Sequence, residues 1–356
     1  MIVYLVLLAF WGLMAIIIQL NSTYKYNSNK LYLIFASISL FIIMALRSET
    51  VGTDILAYYF EYENASDYTF NLLRASELGY SYFNLIFSEL GISFQVYLAV
   101  IAAIFIFAIS KLYYIYSKNV LLSYYLHVTI GLFAMSMTGL RQTLAISLTL
   151  FAFIYLMKDR KILFFLFVGI AYFFHNSAIT FLPVYLLSKI RINKKIGLII
   201  FGLSCLMFLL RDWIASLFQY ILISNKYKNY LDMPHNVNPL VVLVNMAIPL
   251  ACLLFYSYDK GNNEEEYNRA MSTLFLLSIT NFIVHIFSLN VSMITRISLY
   301  FMVYNTVLIP NVIQGIKRKE IRIIAILVSI FLPLIQFVIS TPGSSYGIDN
   351  YKFYWK

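Results

Sequence analysis

The chain has 356 residues, of which 61% are apolar, 18% aromatic and only 12% charged. Soluble domains carry about 25% charged residues, so a soluble globular protein, a disordered chain and a coiled coil are excluded. The mean hydropathy of +0.79 indicates a protein dissolved in lipid. The two cysteines, Cys205 and Cys252, lack the spacing of a disulfide framework or a zinc site, and we interpret them as lipid-facing or core thiols.

The apolar runs predict an all-α, polytopic integral membrane protein, because a membrane-spanning helix needs about 17 to 25 mainly apolar residues. Ten runs reach or approach this length: 2–20, 31–47, 93–116, 120–137, 142–157, 196–210, 239–258, 270–288, 294–316 and 321–340. The first run lacks a basic region and a cleavage site, so we expect a retained span rather than a signal peptide.

The segment between the fifth and sixth of these runs predicts a hairpin of two further spans. Its apolar pieces, 162–174 and 177–188, are short and are separated at His175. Basic residues flank the pair at 158–161 and 189–195, and basic loops belong on the cytoplasmic side. A hairpin keeps both basic segments inside. We therefore expect about twelve spans, with the His175 turn and both termini on the outer face.

This orientation explains the net charge of +10. The inner loops carry 17 of the 26 basic residues against six acids, which gives +11, and the outer segments carry nine against ten, which gives −1. The positive-inside rule accounts for the imbalance, so no nucleic-acid partner is expected. The inner loops are short, and residues 1–356 are predicted to form a single transmembrane domain.

The longer polar segments are all predicted on the outer face, and they comprise 48–92, 211–238 and a tail at 341–356. Within the first segment, aromatic and aliphatic residues recur at helical spacing over 54–63 and over 79–90. Such amphipathic segments are typical of helices that lie in the membrane interface. We expect these two helices to cover the outer mouth of the protein.

Three arginines, Arg47, Arg141 and Arg296, lie at the outer ends of predicted spans. Ionisable groups in a bilayer are costly and usually face a cavity. Guanidinium groups that converge at one depth would form an anion site suited to phosphate oxygens. The alternative is that each arginine only extends its head group to the interface. Taken together, the three favour a diphosphate site.

Two residues at the same level are candidates for a general base. His175 lies in the hairpin turn, and an imidazole can take a proton from a hydroxyl near neutral pH. Asp54 could act instead, or it could hold an arginine in place. The structural alternatives are a hairpin cap for His175 and a helix N-cap for Asp54. His285 lies in an apolar run, and we interpret it as a hydrogen-bonded contact between helices.

Other common chemistries lack their motifs in this sequence. No glycine-rich phosphate loop, no nucleophile elbow and no cluster with metal-ligand spacing occurs in it. We therefore expect no metal site and no cofactor.

Five short motifs occur in order along nearly the whole chain, and an aromatic tail follows them: Arg47 to Asp54, Glu77 to Tyr80, Gly139 to Ala145, Phe174 to Ala178, Arg296 to Phe301, and Asn350 to Phe353 in the tail. This arrangement resembles the EpsG-type family of Wzy-like bacterial polymerases, which build O-antigen, exopolysaccharide and capsule polysaccharides. The resemblance depends on the order and spacing of the motifs, because each one alone is weakly specific.

The resemblance implies an integral enzyme of the bacterial plasma membrane with its active site on the periplasmic or extracellular side. It would join undecaprenyl-diphosphate-linked oligosaccharide repeat units on the outer leaflet by moving the growing chain as a block. The implied fold is similar to GT-C-type glycosyltransferases, and neither a nucleotide sugar nor a metal is implied. The implied partners are the lipid-linked substrate and the bilayer, with a flippase and a chain-length regulator as further candidates.

The resemblance also implies roles for the motif residues. His175 would activate the acceptor hydroxyl, or Asp54 would do so if His175 is structural. The three arginines would stabilise the departing diphosphate. One-step attack would invert the anomeric centre, and a covalent intermediate on a carboxylate is the alternative. Further sugar contacts are expected from Glu77, Tyr80, Gln142 and Asn176.

Three rival functions share these features. A flippase for lipid-linked oligosaccharides would be expected to carry deeper charges and internal symmetry, and the sequence shows neither. A polysaccharide ligase differs only in its acceptor. A membrane subunit without catalytic activity is the third alternative.

Overall fold

The computed structural model describes residues 1–20, 27–66, 77–213, 216, 239–255, 265–290, 294–341 and 346–355. Within these residues the protein is all helical, as the sequence predicts, and strand pairing is limited to one isolated bridge between Arg47 and Phe353. The predicted outer loop at 211–238 lies almost wholly outside the described residues.

Sixteen α-helices and one 3₁₀ helix occur in the described part of the chain. They are α1 Ile2–Leu20, α2 Ser28–Ala45, α3 Ile55–Glu63, α4 Leu78–Glu89, α5 Phe94–Tyr116, α6 Val120–Thr129, α7 Leu132–Thr138, α8 Leu140–Met157, α9 Lys161–Phe174, the 3₁₀ helix Asn176–Phe181, α10 Val184–Leu187, α11 Lys194–Leu209, α12 Pro239–Phe255, α13 Glu265–Ser288, α14 Ile294–Met302, α15 Asn305–Gly315 and α16 Lys319–Ser340.

Six of these helices are long and apolar enough to cross a membrane, namely α1, α2, α5, α8, α13 and α16. The pairs α6–α7 and α14–α15 bend by 60° and 42°, and they raise the number to eight if each pair is one span. The protein is therefore a polytopic membrane protein, but the described helices do not support twelve spans. The remaining predicted spans are shorter helices. For example, α9 has 14 residues, so it is about 21 Å long against a hydrocarbon core of about 30 Å.

The helices cluster into two compact units. The first comprises Met1–Leu182 together with Ile323–Lys356, and the second comprises Pro183–Arg322. A single transmembrane domain stays a prediction.

In the first unit, the short helices α3 and α4 pack with α5 and the start of α8 around an aromatic core. Tyr58 and Tyr62 of α3, Tyr80 of α4 and Tyr97 of α5 are buried there with Leu140. The opposite face of α4 stays exposed and apolar, with Leu78, Tyr82, Ile86 and Leu90 at intervals of four residues. The helix is therefore amphipathic, as its sequence pattern predicts.

The loop after α2 is fastened to the end of the chain within the first unit. Four backbone hydrogen bonds join segment 46–53 to segment 346–354, with N···O distances of 2.9 to 3.1 Å. Thr138, at the end of α7, donates from its hydroxyl to the carbonyl of Tyr346 at 2.7 Å. Segment 346–354 therefore links the loop that precedes Asp54 to the residues that precede α8.

The second unit is built around α13, which packs against α11, α12, α14 and α15. An apolar cluster of Val242, Phe282 and Ile286 joins α12 to α13, and Asn245 of α12 accepts a hydrogen bond from Asn281 at 2.6 Å. Most of α13 is buried, so this helix forms the core of the unit.

Candidate functional site

Three elements of the first unit bring Glu77, Arg141 and His175 together. Glu77 occupies the N-cap position of α4, and Arg141 is the second residue of α8. His175 follows the last residue of α9 with an extended backbone, φ −155° and ψ 116°, which ends that helix. Residues 98 positions apart in the sequence are therefore in direct contact.

The carboxylate of Glu77 bridges the other two side chains. Its Oε2 accepts a hydrogen bond from Nη1 of Arg141 at 2.9 Å, and its Oε1 lies 2.6 Å from Nδ1 of His175. The backbone N–H of Asn176 also donates to Oε1, at 3.2 Å. Because the side chain of Glu77 is only 9% exposed, these charge-assisted contacts are shielded from water.

The protonation state of Glu77 determines which nitrogen of His175 is available. Burial raises the pKa of Glu77, but the hydrogen bond and charge of His175 and the charge of Arg141 outweigh burial, so the pKa lies below its ordinary value. An ionised carboxylate only accepts hydrogen bonds, so Nδ1 of His175 donates. In a neutral imidazole the other nitrogen, Nε2, is then the acceptor that a general base requires.

A close contact between α4 and α9 sets the distance between the carboxylate and the imidazole. A Cβ atom at Gly79 would lie 2.9 Å from backbone atoms of Phe173. Only glycine permits this approach, because the atoms it would meet belong to a backbone that cannot rotate away. Gly79 follows Glu77 by two residues and Phe173 precedes His175 by two, so the contact brings these side chains within reach.

Arg141 is held by aromatic residues as well as by Glu77. Its Cζ lies 5.4 Å from the ring centroid of Tyr58 and 5.8 Å from that of Tyr80, distances typical of cation–π contacts. Its Nε donates to the hydroxyl of Tyr58 at 3.4 Å. The side chain is still 34% exposed. A fixed and reachable guanidinium is suited to binding a phosphate group.

Arg47 has a different environment from Arg141. It is fully buried, and its guanidinium donates to the backbone carbonyls of Met44 and Met137. Burial lowers the pKa of Arg47 to about 10, which leaves the group cationic at neutral pH. A diphosphate contact for Arg47 stays a prediction. The geometry favours a supporting role, in which Arg47 joins the end of α2 to the end of α7.

Asp54 lies at the N-cap position of α3, as its structural alternative predicts, but its side chain makes no cap hydrogen bond to the described residues. It is half-buried. Tyr58, four residues later, lies on the same face of the helix. Asp54 is therefore one helical turn from the tyrosine that contacts Arg141, and its carboxylate does not serve to cap α3.

The other predicted site residues fall into two groups. Tyr80 and Gln142 are buried, with 3% of each exposed, and Asn176 is half-buried, all in the first unit. Arg296 is exposed on α14 of the second unit. The structure thus brings Glu77, Tyr80, Arg141, His175 and Asn176 together, while the convergence of all three arginines stays a prediction.

Two contributors were not predicted from the sequence as site residues, namely Tyr58 and Gly79. Tyr58 lies one helical turn after Asp54, but its role in holding Arg141 is visible only from their contact in the structure. Gly79 lies in the same short motif as Glu77, and a glycine near the start of an amphipathic helix is a signal for close helix contact. Among the described residues, no group of three or more His, Cys, Asp or Glu side chains is arranged to hold a metal ion.

These features define a class: an all-helical, multi-pass membrane protein with a buried carboxylate that joins a histidine to an arginine at the end of a span. A comparison with family models identifies the family. The model of the EpsG family matches residues 30–354, nearly the whole chain, and the chain belongs to that family. Searches of curated proteins and of solved structures found no match.

Proposed function

We propose that the protein is a Wzy-like polysaccharide polymerase, a membrane glycosyltransferase that joins undecaprenyl-diphosphate-linked oligosaccharide repeat units. The observation that carries this proposal is the carboxylate of Glu77, which contacts His175 through one oxygen and Arg141 through the other. Glycosyl transfer from a lipid diphosphate requires a base for the acceptor hydroxyl and a cation for the leaving group. His175 supplies the base and Arg141 supplies the cation. Membership of the EpsG family supports a role in polysaccharide synthesis.

In the proposed reaction, Nε2 of His175 takes the proton of an acceptor hydroxyl. The hydroxyl oxygen attacks the anomeric carbon of the donor, and the bond between that carbon and the diphosphate oxygen breaks. The electron pair leaves with the diphosphate, and the growing chain is transferred as a block. Glu77 orients the imidazole and stabilises the imidazolium that forms, as carboxylates do for catalytic histidines in other enzymes.

Arg141 is the proposed partner of the departing diphosphate, because its guanidinium is both fixed and partly exposed. Cations placed in advance where charge develops contribute most to steps of this kind. We assign Arg47 to holding the loop before Asp54, and a diphosphate contact for Arg296 stays a prediction. Asp54 is the alternative base if His175 only orients substrate. The proposed sugar contacts are Tyr80, Gln142 and Asn176.

We place the reaction on the outer leaflet of a bacterial plasma membrane. A GT-C-like arrangement with twelve spans would require α9, α11, α12 and the 3₁₀ helix with α10 to cross as well, by local thinning of the bilayer or by lining a cavity. The reaction needs neither a metal nor a nucleotide sugar. A flippase that delivers the substrate and a chain-length regulator are proposed partners.

The test is turnover of a purified lipid-diphosphate-linked oligosaccharide by the detergent-solubilised or reconstituted protein, with products separated as a ladder. We compare wild type with His175→Ala and Arg141→Ala, and we use Arg160→Ala as the matched control, since Arg160 is exposed at the start of α9. Loss of a general base costs about 10²–10⁴-fold in rate, and loss of a charge-stabilising donor costs about 10²–10³-fold.

A ladder from wild type and from Arg160→Ala, strongly reduced in the other two variants, supports a polymerase. Transfer of the finished chain to a different lipid or to protein identifies a ligase. Movement of labelled substrate across proteoliposome membranes without a ladder identifies a flippase, and the proposal is then wrong.

A further inference from the structure

A line of polar side chains lies inside a candidate span of the second unit. Ser278, Asn281 and His285 are spaced three and four residues apart on α13, so they share one face of that helix. Their exposed fractions are 0%, 0% and 5%. We name these three residues the α13 polar stripe. The proposed mechanism does not use any of them.

Each residue of the α13 polar stripe has a polar atom that makes no hydrogen bond within the described part of the chain. These atoms are Oγ of Ser278, Oδ1 of Asn281 and both ring nitrogens of His285. The interhelical hydrogen bond expected for His285 is therefore not formed with any described residue. Buried polar atoms are nearly always paired, and intramembrane polar residues without a protein partner are candidates for ligand contact.

Asn245 fixes the orientation of the Asn281 amide. Its Oδ1 accepts a hydrogen bond from Nδ2 of Asn281 at 2.6 Å, and its own Nδ2 donates to the carbonyl of Val241 at 2.7 Å. The amide of Asn281 is thus fixed in orientation, with Oδ1 available as an acceptor. Preorganised acceptors of this kind reduce the entropy lost on binding.

The chemistry of the stripe matches hydroxyl groups. It contains an amide oxygen, an imidazole and a hydroxyl, which together offer both donors and acceptors but no formal charge. A phosphate would require cations, and a divalent metal would require anionic ligands. From Ser278 to His285 the helix rises by about 10 Å, so the three polar side chains are spread along about two turns.

We propose that the α13 polar stripe binds sugar hydroxyls of the lipid-linked oligosaccharide. This inference rests on the proposed function for the identity of its ligand. A neighbouring face of the same helix carries Phe282 and Ile286, which are buried in the apolar cluster with Val242. Ile286 is as fully buried as Ser278 but lies in this apolar cluster, so it provides a matched control position.

The experiment measures how fast a thiol in the stripe reacts with a small hydrophilic methanethiosulfonate reagent. Ser278→Cys replaces one oxygen by sulfur, and Asn281→Cys is the second variant. Ile286→Cys is the control on the apolar face, and all three are made with Cys205→Ala and Cys252→Ala. Each variant must elute as a single species and melt like its parent before labelling.

We expect the two stripe thiols to react at least ~10-fold faster than the Ile286→Cys thiol, because reaction requires a hydrated thiolate. Lipid-linked oligosaccharide at ten times its dissociation constant should slow the stripe thiols about tenfold, as occupancy of one site requires. Undecaprenyl diphosphate without sugar should leave them unprotected.

Equal and slow labelling of stripe and control thiols would mean a dry interior and would overturn the inference. If the oligosaccharide does not slow labelling of the stripe thiols, only water enters the stripe and the inference is overturned. The inference is also overturned if undecaprenyl diphosphate without sugar protects the stripe thiols as well as the oligosaccharide does. Protection does not depend on turnover, so a protein that is protected by oligosaccharide but makes no ladder would contradict the proposed function alone.

Discussion

Glu77 controls both halves of the proposed site through one side chain. The sequence suggests it as a sugar contact, but in the structure both of its oxygens are already used by His175, Asn176 and Arg141. A carboxylate in this position holds the imidazole in one tautomer and the guanidinium in one place. We therefore interpret Glu77 as a positioning residue rather than a substrate ligand.

The substitution Glu77→Gln tests this role. The glutamine amide has one acceptor oxygen where the carboxylate has two, and its NH₂ group would face an N–H donor of either Arg141 or His175. One of these two hydrogen bonds is therefore lost. We expect turnover to fall about 10–100-fold, as for other residues that orient a reactive group, with the protein still folded. Glu89→Gln, an exposed change on the same helix, should retain full activity. Wild-type turnover by Glu77→Gln would refute the positioning role.

The lowered pKa of Glu77 also predicts a dependence of stability on pH. A carboxyl whose pKa is lower in the folded than in the unfolded protein stabilises the fold above its unfolded pKa, and this stabilisation is lost as pH falls through the folded value. The ordinary pKa here is 4.5. We expect the difference in melting temperature between wild type and Glu77→Gln to be constant above pH 6 and to shrink below pH 4.5. A difference that grows on acidification would contradict this sign.

At the level of helices, the contact between Gly79 and the backbone of Phe173 keeps α4 and α9 together. Gly79→Ala places a methyl group 2.9 Å from backbone atoms, so the helices must separate. Overpacking of this kind costs about 1–3 kcal/mol, and we expect turnover to fall as well, because Glu77 moves away from His175. Thermal unfolding and the ladder assay measure the two effects.

Gly169→Ala is the matched control for this prediction. Gly169 lies in the interior of α9, and a Cβ atom there meets nothing within 4 Å. Alanine is preferred over glycine inside a helix by about 0.5–1 kcal/mol, so this variant should be slightly more stable and fully active. Equal behaviour of the two alanine variants would show that the contact at Gly79 is unimportant.

The loop before Asp54 gives a second prediction for an element. Gly52 has φ +109°, and a Cβ atom there would lie 2.7 Å from the carbonyl oxygen of Met137. Gly91 also has a positive φ, of +67°, but a Cβ atom there meets nothing within 4 Å. Positive φ alone costs about 1–2 kcal/mol, so Gly52→Ala should destabilise the protein more than Gly91→Ala does. Equal melting temperatures would show that the loop can move away from α7.

The sequence predicts the helices well because each follows an apolar run or an amphipathic repeat. The end of α9 illustrates this, since the run stops at His175 in both the sequence and the structure. The described helices support six to eight spans rather than the expected twelve, because a run of 14 residues shows the same pattern as a longer one. An apolar pattern identifies a helix that is buried in lipid or in the protein core. Only the length of the helix decides whether it crosses the membrane.

The candidate site was only partly accessible to sequence reasoning. Arg141 and His175 are prominent because polar groups are rare in this chain. The bridging role of Glu77 depends on a contact between Gly79 and Phe173, two distant segments that no local pattern joins. The burial of Arg47 depends likewise on carbonyls of Met44 and Met137. Such tertiary contacts decide whether a charged side chain meets substrate or supports the fold.

At the level of the whole molecule, the position of the site follows from one helix and the charge distribution. Arg141 is the second residue of α8 and Lys158 follows its last residue, so the two residues lie at opposite ends of a helix of 18 residues. That helix is about 27 Å long, close to the thickness of the hydrocarbon core. The basic segment at 158–161 and the candidate site must therefore lie on opposite faces of the membrane if α8 spans it. Because basic loops remain in the cytoplasm, the site should face outward.

Labelling of single cysteines in intact cells tests this orientation. Lys158→Cys and Glu89→Cys are both exposed positions, and each is made with Cys205→Ala and Cys252→Ala. A membrane-impermeant maleimide should label Glu89→Cys in intact cells, because α4 carries Glu77 and lies on the side of the site. It should label Lys158→Cys only after the membrane is permeabilised. The reverse pattern would put the Glu77 site on the cytoplasmic face, where an outer-leaflet polymerase cannot act. Labelling of both positions in intact cells would mean that α8 does not cross the membrane.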